Sequence, residues 1–204
     1  MYPIVLDAFM QSIADEGYTT WMYLDVECLV TCGRGNKIDP VAEALTLDWE
    51  RPDGSLATGL EIITAWNNVK AHGQLRWLGG ENKAFADLTS IRLTKASIDK
   101  LDRVTIATMQ QVLATRLPQL DTWPADAQLA LLRWAWANGP MAHYPKMFAA
   151  LAAKDFATAA HEAEWTNETD ETRQIITTHF MRAAAVVGNG DDPAFFLVAQ
   201  GVSP

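Results

Sequence analysis

Cysteine is scarce in this chain: Cys28 and Cys32 are the only two among 204 residues. That excludes a disulfide scaffold, and with no His near them it excludes a Cys2His2 zinc site. Two free, largely buried thiols fit better than a redox pair. Positive charge is scarce as well. Sixteen Lys and Arg against twenty-five Asp and Glu leave a net charge of −9 and a pI near 4.8. So acidic a surface argues against nucleic acid or an anionic membrane as the main partner, because neutralising phosphate needs clustered cations. No apolar run approaches the ~18 residues of a membrane span, so no membrane insertion is expected. The first Lys or Arg is Arg34, which leaves no basic n-region for a secretory signal. The expectation is a protein that stays in the cytosol, one made there and carried out by another machine, or one domain of a larger chain. His72, His143, His161 and His179 are scattered without a His-x-x-x-His pair, so no metal is expected. No Gly-rich loop has phosphate-binding spacing, and no cofactor is expected.

What is present is an apolar content of 49%, enough for a real core in one domain built as two lobes. Ile4, Leu6, Phe9, Met10 and Ile13 recur near the helical period, predicting a helix over 3–16 that Gly17 ends. Tyr18 to Ile38, rich in Thr, Val, Tyr and Gly, reads as short strands joined by turns. Asp39-Pro40 predicts an N-cap and a helix over 40–48. Arg51-Pro-Asp-Gly54 is a turn, and Thr58 with Glu61 is a capping box for a helix to Ala71. Residues 73–92 show no clear period and read as a long loop. Thr94 caps a long helix through Leu117, and further helices follow at 125–138, 145–153, 155–164, 170–187 and 192–200. The fold class is α+β and mainly helical, with a small N-terminal antiparallel sheet. One domain spans 1–204, its N-terminal lobe at about 1–93, then a connecting helix and a helical lobe at about 94–204.

Glu16 stands at the end of the first helix, with Asp25 nine residues on and Thr31 six beyond, flanked by Tyr23, Gly33 and Gly35. An acid at a helix end opposite an acid and a hydroxyl on a hairpin suits glycoside hydrolysis. One carboxyl protonates the leaving oxygen while the other side handles water or the glycosyl cation. The partial negative charge of a helix C-terminus favours protonated Glu16, as a general acid requires.

Asp15-Glu16-Gly17, Tyr23, Asp25, Thr31, Gly33 and Gly35 resemble the catalytic stretch of the phage T4-type lysozymes. Leu93-Thr94 opening a long helix, and Ala127-Gln128 through Trp136-Ala-Asn138-Gly139, look like that family's later helices. Trp165, Asn167, Arg173 and Ile175-Ile-Thr-Thr178 resemble its C-terminal run. The tract from Leu24 to Pro40 is more similar to lysozyme-like domains of phage tails and type VI secretion effectors. The resemblance implies a two-lobed lysozyme fold and hydrolysis of the β-1,4 bond between N-acetylmuramic acid and N-acetylglucosamine in bacterial peptidoglycan. Glu16 would be the general acid, Asp25 would stabilise the sugar cation or act on the water, and Thr31 would orient that water. Arg173 would pair with the catalytic Glu, with Tyr23 and Asn138 in supporting places. It also implies a monomer that acts in the periplasm or on the wall after delivery. A secretion or phage-tail carrier and a cognate immunity protein would be its partners. The chain departs from the family at Asn36, where His is frequent, so a supporting salt bridge is expected to be missing. Cys28 stands where a turn Gly is common, and the stretch 39–92 is longer.

Trp134 and Trp136 read as packing, whereas Trp21, Trp49 and Trp77 are candidates for stacking on sugar. Arg92, Lys95, Lys100 and Arg103 read first as a solvated helix face and second as a patch that attracts substrate. Cys28 as a nucleophile would need a His partner. Two rivals stand beside the hydrolase: a non-catalytic module of the same fold that binds cell wall or a partner protein, and a glycosidase acting on chitin-type chains.

Overall fold

Thr, Val and Tyr between residues 18 and 38 form the expected sheet. In the computed structural model, which describes residues 1–14, 18–79, 83–163 and 170–193, β1 (Thr19–Leu24), β2 (Val30–Gly33) and β3 (Asn36–Lys37) pair antiparallel in the order β1-β2-β3. Tyr23 lies opposite Thr31 and Leu24 opposite Val30, with a bulge between Thr19 and Tyr23. Met22, Leu24, Val30, Cys32 and Ile38 enter a core that also holds Trp49, Val69, Phe85 and Ile98.

Two compact units divide the chain, residues 13–105 and residues 1–12 with 106–204. The expected lobes divide it elsewhere: α1 (Pro3–Ser12) belongs with the helical unit. That helix is shorter than expected. Ser12 turns its hydroxyl back to the Phe9 carbonyl, a local bond that competes with further helix. Gly17 lies outside the described residues.

In the sheet unit, α2 (Val41–Ala44) is a single turn rather than a helix over 40–48. The Trp49 indole N–H donates to the Ala44 carbonyl at 3.0 Å and the Thr46 hydroxyl donates to that of Glu43, so side chains take the carbonyls that further helix would need. Asp39 does not cap α2. Its carboxylate accepts from the Val30 N–H and from Lys70 instead. The capping box forms as expected at α3 (Gly59–Lys70), where Thr58 accepts the Glu61 N–H and Glu61 accepts that of Thr58. Arg51 reaches Glu61 with two parallel N–H bonds of 2.8 and 2.7 Å. These bonds hold the Glu61 carboxyl down at about 2. The turn at Arg51–Gly54 is closed by Gly54 N–H to the Arg51 carbonyl.

Residues 73–92 are not the expected loop. They hold a 3-10 turn (Gly73–Leu78), the short α4 (Lys83–Ala86) and a two-way backbone bridge between Glu50 and Arg92. Arg92 is half-buried and donates to the carbonyls of Ala86, Thr89 and Ile91. It is therefore not part of a solvated helix face, and burial pushes its guanidinium down. The long helix α5 (Lys95–Arg116) starts as expected, with Ser97 N–H donating to the Thr94 hydroxyl.

The helical unit is built on α6 (Ala125–Asn138), in which every residue from Ala125 to Ala135 is buried. Two of its buried polar side chains, Gln128 and Asp126, find partners. Gln128 accepts the Tyr2 N–H and donates to the Leu120 and Trp123 carbonyls, while Asp126 meets His179 at 2.6 Å. Around it lie α7 (Pro145–Ala152), α8 (Phe156–Glu162) and α9 (Asp170–Asn189). Trp134 packs edge-on to Tyr144 and Phe148, and Trp136 to Phe9, so both are packing residues as expected. The helix expected at 192–200 lies almost wholly outside the described residues. Among the described residues no helix is long and apolar enough to cross a membrane.

Candidate functional site

The turn between β1 and β2 is built on Asp25. Its Oδ1 accepts the backbone N–H groups of Glu27 and Leu29 at 2.9 and 2.8 Å. Its own N–H donates to the Leu29 carbonyl, and its carbonyl accepts from Cys28. Asp is suited to this place because its short carboxylate can replace a backbone acceptor in a tight turn. Both side-chain bonds end on Oδ1, and Oδ2 makes none among the described residues. The turn also needs a left-handed residue, which is Cys28 with φ of 60°. Lys70 anchors the turn from α3, donating to the Cys28 carbonyl at 2.7 Å and to Asp39 at 2.5 Å.

Thr31 follows on β2 and is only 3% exposed. Its hydroxyl donates to the Leu29 carbonyl at 3.1 Å. With the proton committed there, Oγ1 can only accept from another group. Directly opposite residues of an antiparallel pair share a face, so Tyr23, Thr31 and Lys37 form one row across the three strands. Burial, then the nearby Cys32 and Asp25, push the Tyr23 phenol well up, so it stays a donor. Burial likewise pushes the Cys32 thiol up and keeps it un-ionised, and both cysteines are free.

The β2–β3 turn is clamped to α5. Gly33 takes φ of 62°, and a Cβ there would stand 2.9 Å from the Ile98 side chain, so only glycine fits. Arg34 donates to Asp102 at 2.5 Å and to Asp99 at 2.9 Å. Asn36 donates to the other oxygen of Asp102 and accepts from the Thr105 hydroxyl at 2.8 Å. Burial pushes the Asp102 carboxyl up, against the pull of Asn36 and Arg34. Asn36 carries no charge and makes no salt bridge; the ion pair to Asp102 comes from Arg34, two residues earlier. Sequence reading missed Arg34, Asp102 and Lys70. One signal was available: Asp102 interrupts the buried stripe of α5 between Ile98 and Ile106 at the helical spacing.

The structure brings Tyr23, Asp25 and Thr31 together on one hairpin. Glu16 lies outside the described residues. Asn138 and Arg173 belong to the helical unit. Asn138 ends α6 by donating to the Trp134 carbonyl at 3.0 Å, and Arg173 is half-buried on α9. Trp49 is 1% exposed inside the core and cannot stack on a sugar, which corrects that expectation. Trp21 is half-buried with the Arg92 guanidinium 5.7 Å away, and Trp77 is exposed. A groove of about 310 Å³ beside α3, lined by Leu60, Thr64, Asn68 and Ser90, contains none of the expected site residues. Among the described residues no three His, Cys, Asp or Glu side chains gather as a metal site.

Compared with known proteins, the sequence matches no protein-family model and no curated protein.

Proposed function

We propose that this chain is a peptidoglycan hydrolase of the phage T4-type lysozyme kind, with the two-lobed fold of that family. It would cleave the β-1,4 bond between N-acetylmuramic acid and N-acetylglucosamine without a cofactor. The observation that carries the reading is the Asp25–Thr31 hairpin. Asp25 is oriented by two backbone N–H bonds to one oxygen, which leaves the other for a sugar cation or a water. Thr31, six residues on, has its proton tied to Leu29 and its lone pairs left to accept from that water.

In this reading Glu16 donates the proton to the glycosidic oxygen and Arg173 pairs with it. Tyr23 supports the row beside Thr31, and Asn138 shapes the end of α6. A net charge of −9 suits an enzyme delivered to the anionic wall better than one that searches for it by diffusion. Delivery by a secretion or phage-tail carrier, action in the periplasm and a cognate immunity protein belong to the same proposal. The second reading, a non-catalytic module of this fold, is favoured by one observation, the burial of Thr31.

The deciding experiment is digestion of purified sacculi with analysis of the new reducing ends. The wild-type protein should release muropeptides ending in N-acetylmuramic acid, and Glu16→Gln should release none while keeping its helical circular dichroism. Equal release by both proteins would remove Glu16 from the mechanism. Release by neither would leave the binding module.

A further inference from the structure

We infer that Arg76 and Trp77 form a sugar-binding platform beside the Asp25 turn, taking a hexosamine ring whose substituent carries a carboxylate. The inference rests on the glycan-hydrolase reading and adds a subsite to it. The two residues lie in the 3-10 turn Gly73–Leu78, which packs against β1. A Cβ placed on Gly73 would stand 4.0 Å from Cys28 Sγ, so the segment borders the turn that Asp25 organises. Leu75 packs on the core of the sheet unit and anchors the segment.

Trp77 is 68% exposed, the one tryptophan among those described that the fold leaves in water. A single exposed apolar residue needs no explanation. This one is also held in place: the Arg76 guanidinium lies 4.5 Å from the ring centre and donates to the Gly73 carbonyl at 3.1 Å. Such a contact holds the indole as a plane on the segment that begins at Gly73. No carboxylate of the described residues pairs with Arg76. In a chain of net charge −9, a cation with no acidic partner among the described residues suits an acidic ligand. An aromatic plane suits the C–H face of a pyranose, and a guanidinium fork suits a carboxylate. Both features occur together on the peptide-bearing muramic acid unit of a wall glycan, a pyranose whose lactyl group is amide-linked to a stem peptide that carries free carboxylates. Charge complementarity therefore selects an acidic glycan over a neutral one as the occupant.

The test measures binding to purified sacculi in the Glu16→Gln background, so that hydrolysis does not consume the ligand. Trp77→Ala should weaken binding at least tenfold, and Trp77→Phe should restore most of it. Arg76→Gln should weaken binding to sacculi several-fold more than it weakens binding of neutral chitotetraose. In the active background Trp77→Ala should raise KM on sacculi with kcat unaltered. Unchanged wall binding by Trp77→Ala overturns the platform, and so does failure of the unsubstituted Glu16→Gln protein to bind sacculi. Loss of a protein partner rather than of wall binding in Trp77→Ala overturns it too, by making the patch a protein contact. Trp77-dependent binding by a wild-type protein that hydrolyses nothing keeps the platform and sinks the hydrolase reading. Wild-type hydrolysis with no effect of Trp77→Ala does the reverse.

Discussion

Arg34 and Asp102, 68 residues apart in the chain, meet as a buried ion pair with 2.5 Å between Nη1 and Oδ2. The pair joins the turn between Gly33 and Gly35 to the middle of α5, and Asn36 fills the second carboxylate oxygen. Removing Asp102 leaves buried Arg34 with only the part-exposed Asp99 and leaves the Asn36 amide without its acceptor. Asp102→Ala should therefore cost roughly 3–5 kcal/mol of stability, whereas replacing both residues with apolar ones of similar volume should cost much less. Denaturant titration of the two singles and the double checks this. Additive losses would mean that the two residues are not coupled.

Cys28 sits at φ of 60° in the Asp25 turn, a backbone state that costs an L-residue roughly 1–2 kcal/mol and costs glycine little. Cys28→Gly should stabilise the protein by about 1 kcal/mol, the gain being trimmed by the freer unfolded chain. Cys28→Val should destabilise it. Thermal melts of the three proteins give the order directly, and a lower Tm for the glycine variant would contradict the strain argument.

Glu61 has a carboxyl held at about 2, first by its bonds to Arg51 and then by those to Thr58. Its folded-state value lies below the ordinary 4.5, so its contribution to stability is fully present above 4.5. The contribution fades as pH falls from there through about 2. Glu61→Gln should lower Tm at pH 6, and the gap to wild type should close as pH drops to 2. A gap that stays constant over that range would show that the charge of Glu61 is irrelevant.

Thr31→Val keeps the shape and β-branching but removes the acceptor oxygen. Wall hydrolysis should fall by about ten- to a hundred-fold, a smaller loss than with Glu16→Gln, because orienting a water is worth less than supplying the proton. The lost bond to Leu29 should lower stability by only about 1 kcal/mol. Activity on sacculi equal to wild type would make Thr31 a strand residue and nothing more.

Expression in bacteria tests where the protein acts. The cytosolic form should be tolerated, and a form fused to an export signal should lyse Gram-negative cells, because peptidoglycan lies outside the inner membrane. Optical density and microscopy of strains making the cytosolic form, the exported form and exported Glu16→Gln read the outcome. Equal toxicity of the cytosolic form would place the target elsewhere than the wall.

Sequence alone determined what depends on near neighbours. The Thr58–Glu61 capping box, the Thr94 cap of α5, the Arg51–Gly54 turn and the tract of strands between Tyr18 and Ile38 all stand where local chemistry puts them. Each is settled by groups a few residues apart, so one stretch of chain contains all the competitors. The hairpin that joins Tyr23, Asp25 and Thr31 was legible for the same reason. Tertiary structure decided the fate of side chains with distant alternatives. Asp39, a sound helix cap by local rules, takes Lys70 and the Val30 N–H instead, and α2 stops after one turn because Trp49 is drawn into the core. Arg34 finds Asp102 across 68 residues and supplies the ion pair that Asn36 alone could not. Burial strengthens these distant bonds by removing water as a competitor, and no window of sequence shows which groups will be buried together.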